Sequence, residues 1–272
     1  MSAHKETSPK KVTVCSLLTR KQSGEKIVSL TAYDASFAQL IDAAGLDVVL
    51  VGDSLGMVVQ GLETTLPVTV DEMLYHSQLV RRGVKHALLV VDMPFLSYTT
   101  VASALENAGK FMKAGAEMVK LEGGADQAGI ISALVNNGIP VCAHLGLQPQ
   151  RVHKLGGYRV QGRETTAAEH MLHEARVLQE AGADMMVLEC VPAELAKKIS
   201  KELTIPVIGI GAGKDCDGQV LVLYDILGVS PGRQPKFAQN FLKDTGSVSA
   251  AIDAYAEAVR SGRFPSAEQS FN

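Results

Sequence analysis

The sequence predicts an α/β protein with a (β/α)8 or TIM barrel built as a single domain. Short apolar runs alternate with helical stretches along the 272 residues, a length close to the roughly 250 residues typical of this fold. One unit of helix end, glycine and strand also recurs in DAAGLDVVLV, KAGAEMVKLEG and EAGADMMVLE. Because no Pro- or Ser-rich linker divides the chain, we assign residues 11–272 to the barrel and residues 1–10 to a disordered tail.

Eight apolar runs are the predicted strands: KIVSLTAYD, DVVLVGD, HALLVVDMP, MVKLEGG, PVCAHLGL, MMVLEC, PVIGIGAG and GQVLVLYD. Such continuous apolar runs are expected of parallel strands covered on both faces. Between them, SFAQLIDAAG, TTVASALENAGKFMKAG and TTAAEHMLHEARVLQEAG show the apolar spacing and terminal glycine of helices. After residue 228 we expect irregular chain and then a last helix, SVSAAIDAYAEAVRSG. An open doubly wound sheet is the alternative, but LTAYDASFAQ lacks the GxGxxG expected after its first strand.

Composition argues against several classes of protein. A net charge of −3 and a pI of about 6.2 are unlike those of a nucleic-acid-binding protein. No apolar segment approaches the roughly 20 residues of a membrane span, and the beginning, MSAHKETSPKKVTV, lacks the apolar stretch of a signal peptide. The four cysteines are scattered without a CxxC pair, which favours reduced thiols over disulfides or zinc. We therefore expect a cytoplasmic protein without membrane or nucleic-acid partners.

Four predicted strands end on a carboxylate, at Asp53, Asp92, Glu122 and Glu189. In a barrel the strand ends meet at one face, where the active site forms, so these four acids should converge. Crowded carboxylates repel one another and some acquire raised pKa values, a conflict that a divalent cation relieves. Asp53 and Asp92 are the best metal candidates, because Mg²⁺ keeps several waters and takes one or two carboxylates. Each acid alone could instead cap a helix or bond a loop N–H.

Three further polar residues have both a structural and a functional interpretation. Lys120 alternates with Glu122 and so shares its face of the strand, either as a buried salt bridge or as a cation near an anionic substrate. Ser54 follows Asp53 and either holds a carboxylate or caps the loop. His144 stands at the end of the fifth strand and is either a core residue or part of the site.

Two glycine-rich segments are less informative. GIGAGKDCDG spaces its glycines as GxGxG, which fits neither GxGxxG nor the Walker A motif. We prefer tight packing at the barrel rim to a phosphate cradle for this segment. HKLGGYRVQGRET, after the fifth strand, is either a lid or a plain surface loop.

Several motifs, in order along the chain, resemble those of the ketopantoate hydroxymethyltransferase family. They are LTAYDASFAQLIDAAGLDVVLVGDSLGMVVQG, TLPVTVDEMLYH, DMPFLSY, VKLEGG, AHLGLQPQ, GGYRVQGR, VLECVP and IGIGAGKDCDGQVLV, and the resemblance covers roughly residues 11–265. It implies a phosphoenolpyruvate/pyruvate-type barrel. It also implies transfer of a hydroxymethyl group from 5,10-methylenetetrahydrofolate to 3-methyl-2-oxobutanoate through a Mg²⁺-stabilised enolate, giving 2-dehydropantoate for pantothenate and coenzyme A synthesis.

The resemblance also implies roles for individual residues. Asp53 and Asp92 look like the metal ligands, with Glu122 as a further acid at the metal. The keto-acid substrate would be held by Asp53, Ser54, Asp92, Lys120 and His144. Glu189 resembles the acid–base catalyst, at either the keto-acid carbon or the folate transfer step. The family further implies a homo-oligomer, commonly a decamer.

Two other functions compete with this interpretation. A Mg²⁺-dependent lyase or mutase of the phosphoenolpyruvate/pyruvate type would use the same acids on a 2-oxo acid, without folate. A non-catalytic barrel that binds sugar phosphates would use the glycines 209–213 and be indifferent to chelators. No aromatic cluster in the sequence marks a folate site, since aromatic residues make up only 5% of the chain.

Overall fold

The computed structural model describes residues 10–230, 232 and 234–272. Of the predicted tail, residues 1–9 lie outside the described residues. Eight parallel strands form a closed barrel in which each strand pairs with its neighbours in chain order and β1 pairs with β8. The predicted (β/α)8 fold is therefore confirmed.

All eight predicted strands are present. Their bounds are β1 Ile27–Thr31, β2 Val48–Val51, β3 Leu88–Asp92, β4 Met118–Glu122, β5 Val141–Gly146, β6 Met185–Glu189, β7 Val207–Ile210 and β8 Gly218–Leu221. Nearly every strand residue is buried, as expected when helices cover one face of the barrel wall and side chains fill the other.

The helices of the described chain alternate with the strands. Their bounds are α1 Val14–Ser23, α2 Ala35–Ala43, α3 Leu55–Val58, α4 Val70–Gly83, α5 Val101–Lys113, α6 Ala128–Asn136, α7 Val152–Leu155, α8 Thr165–Glu180, α9 Ala193–Glu202, α10 Leu223–Leu227, α11 Leu242–Thr245 and α12 Val248–Arg260. The three helices quoted from the sequence, and the last one, are confirmed. The four-residue helix α11 lies between residues 228–241, where irregular chain was expected, and the last helix. None of the helices in the described chain has both the length and the apolar character that a bilayer span requires.

Local sequence explains where the helices begin. Thr69 and Thr100 accept a hydrogen bond from the backbone N–H three residues on, and the residue there bonds back to the threonine N–H. These capping boxes satisfy N–H groups that a helix start leaves free. The last helix, α12, covers β1 and β8, where the Tyr255 hydroxyl lies 2.9 Å from the carbonyl of Ser29 and 3.2 Å from that of Gln219.

Five acids at the strand-start end of the barrel bond the backbone of a neighbouring strand, and we call them the base acids. Asp47, Glu117, Asp184 and Asp217 stand just before β2, β4, β6 and β8 and accept from the N–H groups of Val28, Leu89, Val141 and Val207, at 2.9, 3.1, 3.0 and 2.8 Å. Asp42, in α2, accepts from the N–H of Ala87 just before β3 at 2.8 Å. These bonds satisfy backbone donors at the end of the barrel where the strands begin, opposite their carboxyl ends.

Candidate active site

A cavity of about 480 Å³ opens at the carboxyl ends of the strands. The structure brings all seven predicted site residues to its wall: Asp53, Ser54, Asp92, Lys120, Glu122, His144 and Glu189. They come from positions spread over more than half of the sequence, and the closed barrel is what gathers them. We call the four acids among them the mouth acids.

Asp53 and Asp92 lie on neighbouring strand ends and are both buried. The Asp53 backbone N–H donates to Oδ2 of Asp92 at 3.1 Å. A glycine precedes Asp53, and a side chain there would start 2.7 Å from the Ser54 hydroxyl and 3.5 Å from Asp92 Oδ2. The lack of a side chain at Gly52 thus leaves room for Ser54 and Asp92 to lie close together at the ends of β2 and β3. Burial, and then the charges of Asp92 and Glu122, raise the pKa of Asp53 well above its ordinary value.

Lys120 forms a buried ion pair with Asp92. Its Nζ lies 2.7 Å from Asp92 Oδ1, because the two residues are register partners on β4 and β3. Burial alone would lower the pKa of Lys120, but the charges of Asp92, Glu122 and Asp53 outweigh it and raise that pKa. The structure is consistent with both interpretations of this lysine, because it forms a buried salt bridge and also borders the cavity where a substrate would bind.

Gln150 connects Asp53 to Glu122 on the cavity wall, and it was not identified from the sequence. Its side-chain nitrogen donates to Asp53 Oδ2 at 2.8 Å and to the Met93 carbonyl at 2.9 Å, and its backbone N–H donates to Glu122 Oε2 at 3.0 Å. The Tyr98 hydroxyl donates to its side-chain oxygen at 2.6 Å. The signal was available in AHLGLQPQ, where polar residues directly follow the fifth strand.

His144 lies between two of the acids. Its ring nitrogens are 3.5 Å from Glu122 Oε1 and 3.4 Å from Glu189 Oε2, and neither makes a well-aligned hydrogen bond within the described chain. Burial lowers the pKa of His144, so the ring is neutral near pH 7. Burial raises the pKa of Glu122 to about 7, although the charge of Lys120 opposes this.

Glu189 ends β6 with its side chain 15% exposed to the cavity. Burial, then the charge of Glu122, raises the pKa of Glu189 to about 8. A side chain at Gly146 would start 2.2 Å from the Glu189 carbonyl oxygen. This glycine therefore lets the two strand ends lie side by side, where the Leu147 N–H donates to that carbonyl at 2.8 Å.

Ser54 has a partner that the sequence did not reveal. Its hydroxyl lies 2.9 Å from the hydroxyl of Tyr33, just after β1. Ser54 begins α3 without a capping bond from its side chain. The structure therefore does not support the capping interpretation, and Ser54 forms part of the cavity wall.

The glycine-rich segments have different outcomes. Side chains at Gly209 and Gly213 would start 2.9 Å from Cys216 Sγ and 2.6 Å from the Ala193 Cβ, which agrees with tight packing at the rim. The segment after β5 places Tyr158 on the cavity wall, with its hydroxyl 3.5 Å from Met57 Sδ. It therefore lies over the mouth, where a lid would have to be.

The fit of the site to a metal rests on its carboxylates. Within the described residues, no group of three or more His, Cys, Asp or Glu side chains has the arrangement of a complete metal site. Two buried aspartates suit Mg²⁺, which takes few protein ligands and keeps water. Oδ1 of Asp53 accepts no hydrogen bond from the described residues, and the pKa of this carboxyl is raised partly by uncompensated negative charge. A cation would remove that repulsion.

Comparison with known proteins identifies the family of this chain. The family model described as ketopantoate hydroxymethyltransferase matches residues 11–267. The chain belongs to the ketopantoate hydroxymethyltransferase family. The 3-methyl-2-oxobutanoate hydroxymethyltransferase of Alkalilimnicola ehrlichii is 60% identical over 261 residues, covering 96% of this chain and 94% of the relative. That of Alteromonas mediterranea is 56% identical, covering 96% and 99%.

Solved structures share the barrel fold of this member of the ketopantoate hydroxymethyltransferase family. Phosphoenolpyruvate phosphomutase from Streptomyces platensis subsp. rosaceus has a TM-score of 0.60 at 15% identity, covering 79% of this chain and 83% of that one. A phosphonopyruvate hydrolase in complex with oxalate and Mg²⁺ has a TM-score of 0.60 at 13% identity, covering 95% and 93%. The likeness agrees with the (β/α)8 barrel fold of the chain.

Proposed function

We propose that this chain transfers a hydroxymethyl group from 5,10-methylenetetrahydrofolate to 3-methyl-2-oxobutanoate, giving 2-dehydropantoate. The hydroxymethyltransferase activity follows from membership of the family. The single observation that carries the assignment to this cavity is the meeting of the four mouth acids with Lys120 at its wall. A carbonyl compound that must lose a proton needs such a combination of charge and base.

Mg²⁺ is the proposed ion, held by Asp53 and Asp92, with Glu122 close by. When bound there, the ion would supply Lewis-acid chemistry, which makes the carbon next to the ketone of a 2-oxo acid easier to deprotonate. The phosphonopyruvate hydrolase of the same fold that holds oxalate and Mg²⁺ supports this choice. Gln150 holds Asp53 and Glu122 in place through its three hydrogen bonds to Asp53, Met93 and Glu122, and such supporting partners orient metal ligands.

The substrate carboxylate belongs beside Lys120 and Ser54. The Lys120 ammonium carries the positive charge on this wall, and the Ser54 hydroxyl is kept in place by Tyr33. His144, neutral and buried, would contribute shape and a hydrogen bond without adding charge. These residues orient the keto-acid so that its reactive carbon faces the remaining acid.

Glu189 is the proposed acid–base residue. Its raised pKa of about 8 makes it a stronger base than an exposed glutamate and allows it to return a proton. It can take the proton from the keto-acid carbon or move one as the one-carbon unit leaves folate, and its carboxylate lies on the cavity wall, 3.4 Å from Nε2 of His144. Both roles need its carboxyl group at the boundary between the two substrates.

The test is an assay of 2-dehydropantoate formation with each component withheld in turn. We expect turnover to require 5,10-methylenetetrahydrofolate and to stop when EDTA removes the metal. Wild-type enzyme should also exchange the C3 hydrogen of 3-methyl-2-oxobutanoate in D2O, seen by NMR. Cleavage or rearrangement of a 2-oxo acid without folate would favour the lyase or mutase alternative, and indifference to EDTA would contradict the metal.

The homo-oligomeric state, commonly a decamer in the family, also stays a proposal. Size-exclusion chromatography with light scattering would test it, because a monomer of 28.9 kDa differs tenfold in mass from ten copies. A monomeric species at micromolar concentration would contradict it.

A further inference from the structure

The cavity is larger than the keto-acid needs. Its volume of about 480 Å³ lies in the range of about 300–1,000 Å³ that buries a ligand of drug size. The acids, Lys120 and His144 occupy the ends of β2–β6. The wall over β7, β8 and the C-terminal segment is different, and it has no role yet in the proposed function.

Two phenylalanines form this other wall, which we call the aromatic wall. Phe237 and Phe271 are both half-buried and border the cavity. They meet over Gly211, just after β7, where a side chain would start 3.0 Å from each ring. The Ala193 N–H donates to the Phe271 carbonyl at 2.9 Å, which fixes the C-terminal segment next to the β6 end that carries Glu189.

Asp225, in α10, is the one acid on this side of the cavity within the described chain. It is 5% exposed and borders the cavity. The Ser230 hydroxyl donates to its Oδ1, whereas Oδ2 accepts no hydrogen bond from the described residues. A carboxylate on a cavity wall is a strong acceptor for a ligand with N–H groups.

Tyr33 connects α10, which carries Asp225, to Ser54, a proposed keto-acid-binding residue. Its hydroxyl bonds Ser54, and its ring packs edge-on against Tyr224, the neighbour of Asp225, at 5.8 Å between centroids. Tyr33 therefore links Ser54 to the residue next to Asp225, and both Ser54 and Asp225 border the cavity. A second ligand in this position would face the keto-acid directly.

We propose that the pterin ring of the folate cosubstrate binds in this half, stacked on the aromatic wall of Phe237 and Phe271, with its 2-amino and N3–H groups donating to Asp225. The inference rests on the proposed function and extends it to the second substrate. A reduced pterin has a flat apolar face and, on one edge, two adjacent N–H donors. A stacking surface and a carboxylate match both features, and Glu189 then stands between the two substrates.

The first test is the Asp225→Asn variant, which keeps the shape of the side chain but loses its charge and one acceptor. The KM for 5,10-methylenetetrahydrofolate should rise at least about 10-fold, as expected when a charged hydrogen-bond acceptor is lost, while the KM for 3-methyl-2-oxobutanoate should change less than about twofold. The Asp253→Asn variant, on the exposed face of α12, is the matched control and should change neither value.

Two measurements guard against a variant that does not fold. Phe271→Leu keeps apolar bulk but loses the ring, and should raise the folate KM about 3- to 10-fold. In wild-type enzyme, 6,7-dimethyltetrahydropterin, which has no benzoylglutamate tail, should compete with the cosubstrate and not with the keto-acid.

The outcomes separate the two proposals. If wild-type enzyme shows no folate-dependent turnover, the proposed function fails. If wild-type enzyme is active but the folate KM is unchanged in folded Asp225→Asn and Phe271→Leu, only the pterin site is overturned. Equal rises in both KM values, or no competition by the pterin, would overturn it too.

Discussion

Acidic side chains stand at both ends of this barrel, and the two sets differ in what they contact. Each base acid accepts hydrogen bonds from backbone N–H groups of a neighbouring element. Four of the five base acids also have a basic side chain of their own within about 3 Å, namely Arg20 for Asp47, Lys21 for Asp217, Lys11 for Glu117 and His86 for Asp42. Among the described residues at the mouth, Lys120 pairs with Asp92 alone, while Glu122 and Glu189 lie on either side of the His144 ring. The same residue types thus tie strands together at one end and surround a cavity at the other.

Perturbed pKa values alone do not separate the two sets. Burial raises the pKa of Asp47 and Asp184 at the base, as it raises those of Asp53 and Glu189 at the mouth. What differs is the surrounding charge. Beside Asp47 the charges of Arg20 and Arg260, which lower its pKa, outweigh that of Glu25, and no acid of the described chain raises the pKa of Asp184. Other acids add to burial in raising the pKa values of Asp53 and Glu189. Unrelieved like charge beside a cavity is therefore the better indicator of a functional site.

The largest effect is expected for Asp92→Asn at the mouth. Turnover should fall at least about 1,000-fold at saturating Mg²⁺, because a proposed metal ligand is lost and Lys120 loses its partner. Steady-state assays with a Mg²⁺ titration measure this. Asp184→Asn at the base is the matched control and should keep turnover within about twofold, and equal losses in the two variants would break the distinction between mouth and base.

Glu189→Gln should lose about 100- to 10,000-fold in turnover, the usual contribution of a general base, while still binding keto-acid. It should also gain stability at alkaline pH. Because the folded pKa of about 8 lies above the unfolded value of 4.5, the contribution of Glu189 to stability is complete below pH 4.5 and is lost as pH rises through 8. Thermal unfolding of metal-free protein at pH 9 should therefore show a higher Tm for the variant. A lower Tm there would contradict the buried-acid interpretation.

Gln150→Ala should weaken Mg²⁺ binding about 10- to 100-fold, the usual cost of losing a partner that orients a metal ligand. Because Gln150 touches Asp53 and Glu122 without being a proposed ligand, kcat at saturating Mg²⁺ should fall much less than in Asp92→Asn. The Mg²⁺ dependence of turnover measures both. Gln60→Ala, an exposed glutamine bonded to Glu72, is the control, and a similar shift in both variants would refute the supporting role.

The smallest effect on catalysis is expected for Asp42→Asn at the base. Turnover should be unchanged, and the free energy of unfolding should fall by about 1–3 kcal/mol, since buried N–H groups of His86 and Ala87 lose a charged acceptor. Although burial opposes it, these bonds lower the pKa of Asp42 below 3.8. The stability it supplies is therefore present above pH 3.8 and is lost as pH falls through its lower folded value. The difference in unfolding free energy between variant and wild type, measured with denaturant, should therefore be smaller at about pH 3 than at pH 7.

Most of the fold and much of the cavity wall could be predicted from the sequence. Apolar runs that end on Asp53, Asp92, Glu122 and Glu189 identify four strands and also the end of each strand that faces the cavity. This works because all the strands of a barrel are parallel, so their carboxyl ends meet at one face. Gln150 and Tyr33 could not be found this way. Their position depends on loop geometry after β5 and β1, which local periodicity does not specify.

The aromatic wall shows the same limit. Phe237 and Phe271 are 34 positions apart in the chain and lie outside the regular helices and strands. Composition therefore suggested that no aromatic cluster existed, and the packing of irregular segments over Gly211 produces one. Residues joined only by such packing leave no pattern in the sequence.

The base acids also have a dynamic consequence. Asp47, Glu117 and Asp184 each exchange two hydrogen bonds with a strand residue, donating from their own N–H to the carbonyl of Val28, Leu89 and Val141 and accepting through their carboxylates. Local opening of these strand pairs must break both bonds at once. Deuterium uptake should therefore be slowest along this lower rim, leaving the upper loops free to fluctuate while the barrel stays closed.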